Sequence, residues 1–192
     1  MTYGYVCFAY SKNEWIAKQI AMFTKSQWSH SFLTVPSLLG KDMAMEAAGN
    51  GVSMIPFDIA YRANVNQNYE TYRFKIDQAA IDKGILKTID LLETGYGYLH
   101  YPWFIWRSLN KLFGRDIKSQ NNWLQNGTVC SDLVRLYITN AGRGDLFKDF
   151  GIDSANAQDI YDIVKANPDL FELVESKAND GLVVQHPTQK DQ

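Results

Sequence analysis

Ser29-His30-Ser31-Phe32-Leu33-Thr34-Val35-Pro36-Ser37-Leu38-Leu39-Gly40-Lys41-Asp42-Met43-Ala44-Met45-Glu46-Ala47-Ala48 is the stretch on which the fold turns. Residues 29–35 and 42–48 read as strands, and 36–40 supply the turn residues between them. With a loop over 36–40, Val35 pairs with Lys41, and counting outward sets His30 directly opposite Glu46. Opposed residues of an antiparallel pair share one sheet face, with Cβ atoms about 4.5–5.5 Å apart. That face also carries Phe32, Thr34, Asp42 and Ala44, while Leu33, Val35, Met43 and Met45 make the better core on the other. His30 and Glu46 are thus expected among small or polar neighbours, where a further group has room to approach. A slip of one residue in register would send Glu46 to the opposite face.

A carboxylate beside an imidazole raises its pKa, fixes its tautomer and orients it. That is the part of the third member in a nucleophile–base–orienter triad. The plainer alternative is a surface cross-strand pair worth under about 1 kcal/mol. Of the other histidines, His100 falls in an aromatic segment and His186 just before Pro187, neither with acid–base company.

Working outward, 3–10 is rich in aromatic and β-branched residues and predicts a strand, and 14–23 predicts a short helix. After the Gly49-Asn50-Gly51 turn come strands over 52–55 and 69–76. Asp77 is placed to cap a helix running to Leu92, with Gly95 as its C-cap, and 98–113 predicts a second, aromatic helix. A polar loop over 114–126 leads to the Cys130 helix, a helix follows from Ser154 to about Lys165, and 171–174 reads as a last strand. Strands come first and helices later, without βαβ alternation. The expected class is α+β, an antiparallel sheet packed against helices. One domain over 1–175 with a polar, mobile tail over 176–192 is the expected organisation.

The second informative stretch is Asn126-Gly127-Thr128-Val129-Cys130-Ser131-Asp132-Leu133-Val134-Arg135-Leu136-Tyr137-Ile138. A Gly-containing turn runs into a cysteine, and Leu133, Val134, Tyr137 and Ile138 follow at the spacing of one helix face. Thr128 is an acceptable N-cap, which puts Cys130 in the first turn. There the unpaired N–H groups and the helix dipole favour a thiolate, and the same donors suit an oxyanion. Cys130 also lies on the apolar face, so an inert buried thiol is the competing reading. Cys7, in a strand-like run, reads as core filler.

The 192 residues are 46% apolar and 21% charged, with net charge −2 and no basic run, which is a globular composition and gives nucleic acid nothing to hold. Two cysteines make no disulfide framework. No signal peptide is visible, and the most apolar segment, 98–113, is interrupted by Arg107, Asn110 and Lys111 and shorter than the roughly 20 residues that span a bilayer. A cytoplasmic protein is expected. No HExxH or CxxC motif is present, so no metal or other cofactor is implied.

Trp28-Ser29-His30-Ser31 entering a strand, Met45-Glu46-Ala47 ending the next, and Cys130-Ser131-Asp132-Leu133-Val134 at a helix start together resemble the circularly permuted branch of the NlpC/P60 superfamily of papain-like cysteine hydrolases, the YiiX-like proteins. Asp159-Ile160-Tyr161 is similar to that family's short segment after the cysteine helix, and the likeness covers roughly residues 3–174. The Gly-Asp opening common in relatives is missing, and the aromatic insertion between Gly97 and Asn122 has no counterpart.

The resemblance implies a permuted papain-like fold with Cys130 as nucleophile, His30 as general base and acid, and Glu46 as the group that orients His30. It implies hydrolysis of an amide through a thioester, on peptide-type substrates such as cell-wall peptides. Some permuted relatives are similar to lipid acyltransferases and phospholipases. For that alternative, Tyr96, Tyr98, Tyr101, Trp103, Phe104 and Trp106 would line a cleft or face a membrane surface rather than pack in the core. Trp28 and Tyr98 are the expected substrate-binding residues. A catalytically idle binding protein of the same fold is the third reading.

Overall fold

The structure, a computed structural model, describes residues 4–11, 26–36, 40–97, 106, 110, 113–115, 128–150, 155–178 and 181–184. Strands β1 (Tyr5–Ser11), β2 (His30–Pro36), β3 (Asp42–Ala48), β4 (Gly51–Pro56), β5 (Gln67–Phe74), β6 (Phe171–Ala178) and β7 (Gly181–Val184) form one sheet in the order β4-β3-β2-β1-β5-β6-β7. Every neighbouring pair is antiparallel. Helices α1 (Gln78–Ile89), α2 (Cys130–Ile138) and α3 (Ala157–Ala166) complete the mixed architecture expected of an α+β chain. The helix expected over 14–23, nearly all of the aromatic segment, and Tyr98, His100 and His186 lie outside the described residues. Among those described, no helix is long and apolar enough to cross a membrane.

β1 sits in the middle of the sheet and is covered on both faces, which is why its sequence is a continuous apolar run rather than an alternation. Val6, Phe8, Leu33 and Met45 meet Ile81 of α1, Leu133 and Tyr137 of α2, and Ile160 of α3 in the main core. On the reverse face Cys7, Ala9, Phe32 and Ala44 form a smaller core with Phe57, Tyr61 and Tyr69. The face assigned to His30 and Glu46 keeps the expected small neighbours, Ala44 among them, but it is not open. It is roofed by aromatic rings from the chain that follows β4.

The β2–β3 register differs from the expected one by two residues. Val35 pairs with Met43 and Leu33 with Met45, so Pro36 faces Asp42 and the turn lies further along. A shift of two preserves face, because side chains alternate with period 2. His30 and Glu46 end up diagonal rather than directly opposed, still on one side of the sheet.

Other bounds moved for local reasons. α1 ends at Ile89, and the reversal uses Glu93, at φ 66°, instead of Gly95. The loop then docks on β4: Val52 N–H donates to the Thr94 carbonyl at 3.0 Å and Glu93 N–H to the Val52 carbonyl at 3.0 Å. α3 starts later than Ser154, at Ala157, because Asn156 and Asp159 each accept the other's backbone N–H at 2.9 Å. The expected tail is in part strand. β6 continues to Ala178 and pairs with β7, so residues 176–178 and 181–184 belong to the sheet. Composition undervalued this stretch because a strand at the sheet edge tolerates polar side chains on its open face.

Candidate active site

α2 is delivered to the sheet by a short splice. Thr128 N–H donates to the Gly95 carbonyl at 3.1 Å, and Gly97 N–H donates to the Thr128 carbonyl at 3.2 Å. Thr128 is thereby used as a bridge and not as the cap. Val129 (φ −99°, ψ 163°) takes the N-cap position, and Asp132 reaches back to accept its N–H at 3.4 Å. Cys130 is the first helical residue, where no intrahelical acceptor exists for its N–H.

His30 opens β2, and the β2–β3 ladder begins only at Leu33. Two residues short of that ladder, the Ser31 N–H is hydrogen-bonded to the sulfur of Cys130, as is the N–H of Ser131. The imidazole of His30 is hydrogen-bonded to the same sulfur. On its other side, His30 Nε2 donates to Glu46 Oε2 at 3.0 Å. With Nε2 engaged by the carboxylate, Nδ1 is the nitrogen left to meet the thiol, the tautomer in which it accepts the thiol proton. The side chain of His30 is 21% exposed, whereas Cys130 retains 9% and Glu46 is buried.

Burial works against the imidazolium, but hydrogen bonds with Cys130 and Glu46, reinforced by their charges, push His30 up to about 10. Burial would raise Cys130. The hydrogen bond and charge of His30, with the two backbone N–H groups, outweigh it and hold the thiol below its ordinary value. Burial would likewise raise Glu46, yet the hydrogen bond and charge of His30, with the hydroxyl of Tyr61, keep it below the usual carboxylate range. These directions favour a thiolate–imidazolium pair backed by an ionised carboxylate. Cys7 shows the contrast: burial, aided by the charge of Glu175, outweighs its hydrogen bonds to Thr71 and Thr34 and pushes it up to about 12.

Tyr61 is the residue sequence reasoning missed. It sits on a single π-helical turn, Asp58–Arg62, between β4 and β5, and donates to Glu46 Oε2. The signal available was slight: Phe57 and Tyr61 are aromatics one helical turn apart in a stretch of otherwise mixed character. Trp28 is placed in the main core, its ring 5.6 Å from Tyr161 and 6.5 Å from Phe8, with 7% of its surface exposed. Asp159 caps α3 and Ile160 fills the core, so this segment acts by packing. Among the described residues no group of three or more His, Cys, Asp or Glu side chains is placed to hold a metal.

No protein-family model matches the chain, and no curated protein sequence matches it either.

Proposed function

We propose that the protein is a cysteine hydrolase that cleaves an amide of peptide type through a thioester on Cys130. The observation that carries this reading is the sulfur of Cys130 hydrogen-bonded to an imidazole whose other nitrogen is fixed by Glu46 at 3.0 Å. A buried structural thiol would be driven up in pKa, as Cys7 is; this one is driven down.

The thiolate attacks the acyl carbon, and the charge that develops on oxygen is met by the Cys130 N–H at the helix start. The His30 imidazolium passes its proton to the leaving amine, which departs and leaves the thioester. Neutral His30 then takes a proton from water as the oxygen attacks, and release of the acid restores the thiolate and imidazolium. Glu46 holds the ring through both transfers. The order histidine, acid, cysteine, with α2 packed against β2 and β3, supports a permuted papain-like arrangement similar to NlpC/P60 proteins.

A second reading, acyl transfer from or hydrolysis of a lipid, is favoured by Phe113, 81% exposed, and the half-exposed Trp106 on the aromatic segment. The two are separated by product analysis on peptidoglycan fragments and on phospholipid vesicles, with intact mass measured after acid quench. The amidase reading expects a new amine terminus from the peptides and an acyl adduct on Cys130 that is absent in Cys130→Ala. Lyso-lipid or transferred acyl chain with no peptide product would replace it by the lipid reading. No product and no adduct with either class, from folded protein, would leave an idle scaffold.

A further inference from the structure

The centre contains three side chains that the sequence pattern supplies and one that it does not. Tyr61 O–H donates to Glu46 Oε2, the same oxygen that accepts from His30 Nε2. Its ring lies flat against Phe32, centroids 4.2 Å apart at 15°, and Phe32 in turn stacks on His30 at 5.8 Å and 21°. Tyr61 is therefore locked to both ends of the ion pair, by its hydroxyl to the acid and through Phe32 to the base.

The turn that carries Tyr61 is itself clamped by β6. Lys177 Nζ donates to the carbonyls of Tyr61 at 3.2 Å, Arg62 at 2.8 Å and Asn64 at 2.7 Å. Arg62 grips Glu175 with two parallel hydrogen bonds of 2.8 and 2.7 Å and reaches Asp58 at 2.6 Å. Tyr69 closes the cluster by donating to Glu175. A π-helical turn is less favourable than an α-helical one and persists where its surroundings hold it; here Lys177 binds the carbonyls at its end.

We infer that Tyr61 is a positioning residue of the reaction centre, holding Glu46 against His30, and that β6 acts through Lys177 and Arg62 to keep Tyr61 in place. The inference rests on the thiol–imidazole–carboxylate reading and extends it to a residue outside the triad. A tyrosine needing only a hydrogen-bond acceptor would be satisfied by any carbonyl. This one takes a buried carboxylate that burial alone would neutralise, and helps keep it charged. The titratable groups around the pair are His30 from β2, Cys130 from α2 and Tyr61 itself, with Cys7 of β1 acting on Tyr61 from below.

The test is a double-mutant cycle read by iodoacetamide labelling of Cys130 between about pH 5 and 9, with Tyr61→Phe, Glu46→Gln and the pair. Phenylalanine keeps the ring stack, and urea unfolding verifies that each variant is folded. Tyr61→Phe is expected to slow labelling about tenfold at acid pH, the share of one charge-assisted hydrogen bond. The same change in the Glu46→Gln background is expected to do nothing, because the two act as one unit. Lys177→Met should give a smaller loss, about threefold, that vanishes when Tyr61 is already phenylalanine. Equal losses in both backgrounds, or no loss from Tyr61→Phe, would overturn the inference. Labelling needs no substrate, so coupling without turnover removes the hydrolase and keeps Tyr61, while turnover without coupling removes Tyr61 alone.

Discussion

Replacing His30 with asparagine removes the first partner of the Cys130 sulfur and leaves the two backbone N–H groups of Ser31 and Ser131. In the native protein the thiol ionises below its ordinary value, and the imidazolium keeps its proton up to about 10. The alkylation rate of Cys130 should therefore rise early, hold a plateau through neutral pH, and climb again near pH 10 as His30 loses its charge. In His30→Asn only one ionisation remains, at or above the free thiol's value of roughly 8.5. At pH 6 such a thiol is about 0.3% ionised, a loss of at most roughly 300-fold in nucleophile. A more basic thiolate is intrinsically more reactive, with a Brønsted slope near ~0.45, which returns part of the difference. The net expectation is a fall of about ten- to a hundredfold at pH 6, narrowing toward pH 9. Intact mass and peptide mapping follow the reaction, and Cys7, buried and pushed up to about 12, is the internal control that stays unlabelled while the protein is folded. Superimposable profiles for the two proteins, or a single native step near the ordinary thiol value, would refute the ion pair.

Stability should carry the same signature. His30, raised from 6.5 to about 10, contributes fully below pH 6.5 and loses that contribution as pH climbs through 10; Cys130, lowered from 9.0, contributes fully above 9.0 and loses it as pH falls. The two slopes oppose each other between 6.5 and 9.0, so the excess stability of the native protein over Cys130→Ser should peak within that window, at about 2 kcal/mol, and shrink toward acid and toward pH 10. Urea unfolding across pH measures it, and a pH-independent difference would contradict the assignment. Gly84→Ala tests the joint between α1 and α2: a Cβ there would lie 2.8 Å from both Cδ2 and the carbonyl oxygen of Tyr137. The helix-propensity gain of about 1 kcal/mol is smaller than the overpacking cost of about 1–3 kcal/mol, so the urea midpoint should fall. A rise would mean that the helices separate more easily than their packing implies.

The hairpin around His30 and Glu46 was legible because face parity depends on alternation alone, and it survives a two-residue error in the turn. The Cys130 helix was legible because its apolar spacing is regular, although Val129 rather than Thr128 opens it: the hydrogen bonds that Thr128 N–H donates to Gly95 and its carbonyl accepts from Gly97 are invisible in sequence. Tyr61 was barely legible, its one signal being its spacing from Phe57. Its placement needs a π-helical turn whose restraint comes from Glu175 and Lys177, far along the chain. The polar composition after Ser176 concealed the end of β6 and the whole of β7 for want of any local signal of their neighbours.

The attachment of the Asp58–Arg62 turn to β6 bears on the order in which the molecule acquires its reactivity. As the chain leaves the ribosome, His30 and Glu46 emerge first with no sulfur to ionise, and Cys130 follows while Glu175 and Lys177 are still unmade. If Tyr61 positions Glu46 as inferred, a chain cut before Glu175 and Lys177 would carry a less reactive thiol. A strand made some forty residues after the cysteine would then complete the scaffold behind the histidine.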